Sequence, residues 1–279
     1  MDCKNVSLLV RKEARESLKN RWFILYTICF STLALFLLFL SASSEEIAGI
    51  SGFGRTAASL INLVLLFIPL IALVAGALSI SIERENGTLS YLLSHPVMKT
   101  EILFGKFIGL LLPICFSISL GFGLAGIAIS IKGGSQDISK FLTILLLSTL
   151  LASALLSVGL LISVYSRRGA RAIGFAVFLW LFFIVISDLG IMGTSVAMDL
   201  GIKQVFTLAL FNPTEVFKIA SVLILSPRFE ILGPVGIYAL NTFGREGLFY
   251  LLISILVLWT IIPLLWGYLV FDVIKREEI

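Results

Sequence analysis

The chain is 279 residues long, 58% hydrophobic and only 14% charged, with a formal charge of +4 from 21 Lys+Arg against 17 Asp+Glu. Soluble domains carry about 25% charged and 45–50% apolar residues, so a soluble fold of this size, a disordered chain, a disulfide scaffold and a coiled coil are excluded. The basic residues fall between long apolar runs, which points to a membrane surface and not to nucleic acid.

Residues 1–21 read as an amphipathic helix lying in the headgroup plane. Val6, Leu9, Val10, Ala14 and Leu18 share one arc at 100° per residue, and Arg11, Lys12, Arg15 and Lys19 share the other. Glu13 falls inside the apolar arc and breaks the pattern; buried or paired, it would be an interface residue. The apolar run that follows is too long for the core of a signal peptide, so no cleavage is expected. Trp22 and Tyr26 mark where the chain enters the membrane.

A helix needs about 20 apolar residues to cross a bilayer. Uncharged runs give five spans without argument, about 22–44, 57–82, 107–131, 141–166 and 247–271, and a sixth at about 172–193 with Asp188 near one interface. Period-2 alternation is lacking, so a β-barrel is not expected. Residues 194–246 are read as an external loop with interfacial or re-entrant helices, because Pro213, Glu215 and Lys218 interrupt its most apolar stretch. A charge at the centre of a span costs about 2.5–3.5 kcal/mol on insertion scales. Fourteen basic residues fall on the side of the N-terminus and seven on the other, which makes both termini cytoplasmic. The expected fold is therefore an all-α polytopic membrane protein. It has six transmembrane helices (22–279), an N-terminal amphipathic helix (1–21) and a main cytoplasmic connection at 83–106.

That connection carries most of the information. After the second span comes a charged turn, Glu83, Arg84 and Glu85, and then Gly87, which permits φ > 0. Thr88 is expected to cap a short helix whose Leu89, Leu92 and Leu93 share one face, and Pro96 ends it. Thr100 is expected to cap the next helix, with Glu101 favourable in its first turn. A short amphipathic helix held across the membrane surface by two rigid spans suits insertion into a partner's groove. Gly105 and Gly109 form a Gly-x-x-x-Gly pair, read as a dimer-packing face.

Most catalytic classes lack their residues. His95 is the sole histidine, so His-Glu-x-x-His zinc chemistry and a histidine-based triad at membrane depth are not available. Three cysteines, Cys3, Cys29 and Cys115, have no metal-binding spacing. Gly105-Lys106 is no P-loop, since Thr100 stands where the first glycine belongs and Phe107 follows. The spans hold almost no ionisable groups; a proton- or sodium-coupled pump needs acids near the midplane. The energy source is then expected in a partner chain. A secondary transporter, or a membrane protein without an ATPase partner, is the alternative reading.

The pattern Glu83…Gly87-Thr88-Leu89…Leu92-Leu93-Ser94-x-Pro96-Val97…Ile102-Leu103-x-Gly105-Lys106 resembles the hallmark of ABC-2 type permeases, the membrane subunits of a class of ATP-driven transporters. Arg11-Lys12-Glu13…Leu18-Lys19-Asn20-Arg21-Trp22-Phe23 is similar to their elbow helix. Phe211-Asn212-Pro213-Thr214-Glu215-Val216-Phe217-Lys218 resembles the branch that serves nitrous oxide reductase maturation in copper assembly.

The resemblance implies a non-enzymatic permease subunit of an ABC transporter of exporter type in the plasma membrane. Two six-span subunits would form the translocation unit. Residues 83–98 would be the coupling helix docking on a separate ATPase subunit, with Glu83, Glu85, Gly87, Thr88, Leu89, Leu92, Leu93, Ser94 and Pro96 at that interface. Arg11, Glu13, Leu18, Arg21 and Trp22 would belong to the elbow. ATP and magnesium would be bound by the partner, this chain would hold no cofactor, and an external accessory protein could meet the 194–246 loop.

Overall fold

The computed structural model describes residues 3–43, 52–93, 98–132, 138–185, 201–225 and 233–278, and among these the regular structure is helical with no strand. The helices run α1 (Cys3–Lys19), α2 (Arg21–Ser43), α3 (Gly52–Glu85), α4 (Thr88–Leu93), α5 (Lys99–Lys132), α6 (Ile138–Tyr165), α7 (Gly169–Val185), α8 (Ile202–Leu210), α9 (Pro213–Leu225) and α10 (Gly233–Glu278). In a bilayer, helices satisfy every backbone donor and acceptor internally, which is why apolar runs of this length adopt them.

Within these helices, Ala58–Glu85, Lys99–Leu124, Ser139–Tyr165 and Val235–Phe271 are long and apolar enough to cross a membrane. The number reaches six if each of two bent pairs counts as one span: Asn5–Lys19 with Arg21–Leu37, bent by 68°, and Ile202–Leu210 with Pro213–Leu225, bent by 108°. Helix α7 is apolar but has 17 residues, about 26 Å of helix against a hydrocarbon core of about 30 Å. The rest of the span expected to end at 193, with the Asp188 assigned to an interface, lies outside the described residues.

The centre of the bundle is the crossing of α3 and α6. Residues 151–160 of α6 are buried on every side. A Cβ on Gly76 would lie 2.7 Å from the Leu156 carbonyl oxygen, and one on Gly159 would lie 2.6 Å from that of Leu73. Only glycine lets the two backbones touch there, as small residues do at membrane helix interfaces. At the end of the same seam the Ser163 hydroxyl oxygen accepts the backbone N–H groups of Ile80 and Ser81, both at 2.8 Å.

Other helices are laid onto this pair. Phe30 of α2 is fully buried against Gly121 of α5, and the Thr27 and Ser117 hydroxyls of the same two helices lie 2.7 Å apart. Ser157 of α6 donates to the Trp259 carbonyl of α10 at 3.0 Å. Trp180 of α7 donates from its indole nitrogen to the Leu66 carbonyl of α3 at 3.1 Å. Asn20 ends α1 and caps α2, its Oδ1 accepting the Trp22 N–H at 3.0 Å.

Within the stretch 194–246 read from the sequence as a loop, the described parts are helical. Helices α8 and α9 form a sharp reversal, and α9 is buried along Pro213–Phe217. Residues 233–246, read from the sequence as part of the loop, form the first part of α10, which breaks at Gly244 with φ at +69° and then continues. Asn212 caps α9: its Oδ1 accepts the Thr214 N–H at 3.0 Å and the Thr214 hydroxyl at 2.6 Å, while its Nδ2 donates to the Phe183 carbonyl of α7 at 2.9 Å. Pro213 follows as the first helical residue, where its missing N–H costs nothing. Glu215 lies in the first turn of α9, on the favourable side of the helix dipole, 3.4 Å from Lys218.

Candidate functional site

The turn that follows α3 lies where several helices meet. Asn86 N–H donates to the Ile82 carbonyl at 2.9 Å, and Gly87 N–H donates to the Arg84 carbonyl at 3.2 Å. Gly87 has φ at +74°, the left-handed region that glycine enters without a Cβ clash. Thr88, expected as an N-cap, is instead the first residue of α4, and its hydroxyl donates to the Glu83 carbonyl at 3.1 Å. It thus closes the turn from the other side.

The three charged residues before the turn each go to a different neighbour. Glu83 points to α5, where Lys106 Nζ lies 2.9 Å from its Oε1, and Lys12 of α1 approaches the same oxygen at 3.6 Å. Arg84 donates from Nη1 to the Val164 carbonyl at 2.9 Å and to that of Ser166 at 3.3 Å, satisfying orphan acceptors at the C-terminal end of α6. Glu85 Oε2 accepts the Gly169 N–H at 2.8 Å, at the N-terminus of α7.

Lys106 is the centre of a buried ion cluster. Its ammonium donates to Glu13 Oε1 at 2.8 Å and to the Ser79 carbonyl at 3.1 Å, besides the contact to Glu83. The side chains of Lys106, Glu13 and Glu83 are 1%, 9% and 17% exposed. Glu13 breaks the amphipathic pattern of α1 for this reason: the apolar arc of α1 faces α5, and its single acid meets a lysine there. A buried lysine is tolerated because its donors are matched by acceptors.

Close packing of α1 on α5 makes that meeting possible. A Cβ on Gly105 would lie 2.7 Å from Leu9 Cβ, and one on Gly109 would lie 2.6 Å from Glu13 Cβ. The glycine pair read from sequence as a dimer face is therefore occupied within the chain by α1. The reason is geometric: α1 folds back beside α5, and only glycines let its backbone approach. At the start of α5, Thr100 lies inside the helix and is not its cap. Glu101 fills that role, with Oε2 accepting the Met98 N–H at 3.1 Å and the Asn5 amide of α1 at 3.4 Å.

The remaining expected residues divide by exposure. Leu89 is buried against the chain's own core, so its contact is internal, whereas Tyr91 on the same short helix is 72% exposed. Arg11, Leu18, Arg21 and Trp22 face outward and do not join the cluster. The side chains of Leu92 and Leu93 lie outside the described residues, as do Ser94, His95 and Pro96. Lys106 was missed as a site residue, because a lysine at the edge of an apolar run reads as a flanking charge. Its helix in fact begins seven residues earlier, at Lys99, and a charge one to two turns inside a helix was the available signal.

No group of three or more His, Cys, Asp or Glu side chains stands close enough to hold a metal ion among the described residues. An open apolar groove of about 490 Å³ lies between α5, α6 and α10, lined by Leu111, Cys115, Leu146, Leu150, Phe249 and Ile253.

This architecture has relatives. The profile of the ABC-2 family transporter proteins matches residues 8–275. The chain is 30% identical over 217 residues to the probable ABC transporter permease protein NosY of Stutzerimonas stutzeri, covering 76% of this chain and 79% of that one. The protein of the same name from Pseudomonas aeruginosa matches to the same extent. The chain belongs to the ABC-2 transporter family and is a multi-pass membrane permease of an ABC transporter.

Proposed function

We propose that this chain is the permease subunit of an exporter-type, ATP-driven transporter in the plasma membrane, and that α4 with its flanking turn is the coupling helix on which a separate ATPase subunit docks. The observation that carries the reading is the turn itself. Glu83, Arg84 and Glu85, the last residues of α3 directly before the short helix, tie that end of α3 to α1, α5, α6 and α7 at once. A push on α4 would therefore reach these four helices through the end of α3. Tyr91 and Met98 give this end of the molecule an exposed apolar surface for the partner. ATP and magnesium would be held by that partner. Both termini are assigned to the cytoplasm by the distribution of basic residues, which also puts α1 in the elbow position.

A homodimeric translocation unit fits the apolar face of α7, where Phe175, Phe178, Leu181 and Phe182 are exposed among the described residues. The curated relatives carry the name NosY, and the α8–α9 reversal would be the outer surface that meets an accessory protein in copper-enzyme maturation. The test is a mild-detergent pull-down of tagged protein from its own host, with ATP hydrolysis assayed. A stoichiometric ATPase subunit is expected. A solitary chain, in a preparation that keeps other transporter complexes intact, would overturn the reading.

A further inference from the structure

The buried lysine is not required by the fold alone. A methionine or leucine would fill its volume, and replacing a buried ion cluster with apolar side chains is often neutral or stabilising. What a charged cluster adds is a single geometry. An ammonium has three donors, and those of Lys106 meet Glu13 of α1 at 2.8 Å, Glu83 of α3 at 2.9 Å and the Ser79 carbonyl of α3 at 3.1 Å. Lys12 stands 3.6 Å from Glu83 and 4.0 Å from Glu16, at the exposed edge of the cluster. Glycines at 105 and 109 hold α1 against α5 on the same face, one position before and three after the lysine. Arg84 and Glu85 point away from this cluster, toward the backbone ends of α6 and α7. The turn therefore has two separate attachments; the one to α5 runs through Lys106, which also holds Glu13 of α1, and Lys12 of α1 adds a longer contact to Glu83.

We propose that Lys106 is a positioning residue for energy coupling: its ammonium makes α1, the end of α3 and α5 move as one body when the partner ATPase displaces α4. The proposal rests on the coupling role given above to the turn. It adds the residue through which α1 and α5 are engaged.

The experiment uses the permease–ATPase complex in lipid nanodiscs, with Cys3, Cys29 and Cys115 replaced by serine and nitroxide labels on Leu8 of α1 and Leu120 of α5, both exposed. In otherwise unsubstituted protein the label-to-label distance should be narrow and the same with and without ATP and magnesium. Lys106→Met should broaden that distribution and lower the permease-stimulated turnover of ATP by roughly tenfold, within the usual range of one coupling free energy. KM for ATP should stay unchanged, since Lys106 touches no nucleotide, and Lys106→Arg should restore both readouts. If Lys106→Met fails to accumulate, Glu13→Gln with Lys106→Met removes the more buried of the two acids left behind, Glu83 keeping Lys12 at 3.6 Å, and gives the same two readings. A narrow distribution in the Met variant overturns the proposal. So does a broad one with unchanged ATP turnover, and so does a distance that shifts with nucleotide in the unsubstituted protein. Failure of the coupling reading itself is distinguishable: no ATPase would co-purify with the unsubstituted chain, whatever residue 106 does.

Discussion

Gly87, Leu89 and Tyr91 show how much one residue decides around this turn. At φ of +74° an alanine is strained by about 1–2 kcal/mol, although nothing crowds its Cβ. Gly87→Ala should therefore insert and fold, with a modest loss of thermal stability. Gly87→Pro should disrupt the turn outright, because proline fixes φ near −65° and deletes the N–H that meets Arg84. The measurement is ATPase turnover in the assembled complex against membrane insertion; normal coupling in the proline variant would remove the role given to the turn. Leu89 and Tyr91 separate fold from docking. Leu89→Ala opens a cavity and should cost about 2–5 kcal/mol, read as reduced folded yield. Tyr91→Glu should leave thermal unfolding unchanged and reduce recovery of the ATPase in a pull-down. Equal recovery would mean that the partner does not use this face.

Helix α1 gives the lesson at the scale of an element. By itself it is an imperfect amphipathic helix that any headgroup layer would accept. Packed on α5, it becomes part of the bundle through two glycines, a buried Glu13–Lys106 pair and the Asn5–Glu101 contact. Gly109→Val should expel it, since the added Cβ alone would sit 2.6 Å from Glu13 Cβ and 3.1 Å from the Val10 carbonyl oxygen. Arg11, Arg15 and Lys19 are already exposed, but a detached α1 can unfold into the extended backbone that trypsin needs at these sites. Faster proteolytic loss of the N-terminal segment is the expected result, and an unchanged cleavage pattern would contradict the packing. Removing one member of a buried ion pair costs about 3–5 kcal/mol, so Glu13→Ala should release the same segment. Glu13→Gln should release it less, because the amide still accepts a hydrogen bond.

For the molecule as a whole, the α3–α6 crossing sets the fold and the α3–α4 turn reports on it. Gly76 and Gly159 meet backbone to backbone, and Ser163 bridges the same seam toward the turn. Gly159→Leu should prevent the two helices from closing. The expected outcome is loss of the folded, detergent-soluble monomer peak and not a selective loss of coupling. A well-folded variant with intact ATPase stimulation would show that the crossing can shift without consequence. This places the most sensitive glycines in the centre of the bundle, and those of α5 one layer out.

The long apolar runs, their bounding charges and the asymmetry of basic residues were sufficient to predict an all-helical membrane protein. Burial in hydrocarbon allows few other backbone structures, and a lipid-facing helix announces itself by composition alone. The turn at Gly87 and the ABC-2 pattern around it were legible for the same kind of reason: a glycine between a charged helix end and an apolar hexamer is a local signal. Partner choice was not local. Nothing in the order of residues says that Glu13 meets Lys106, 93 positions away, or that Gly105 and Gly109 receive α1 and not a second subunit. Glu215 and Pro213 looked like obstacles to burial until Asn212 capped their helix onto α7. Charge and hydropathy determine which residues must be satisfied; only the packed helices decide by whom, because a buried ion pair or a glycine seam exists only once two distant backbones lie within a few ångströms.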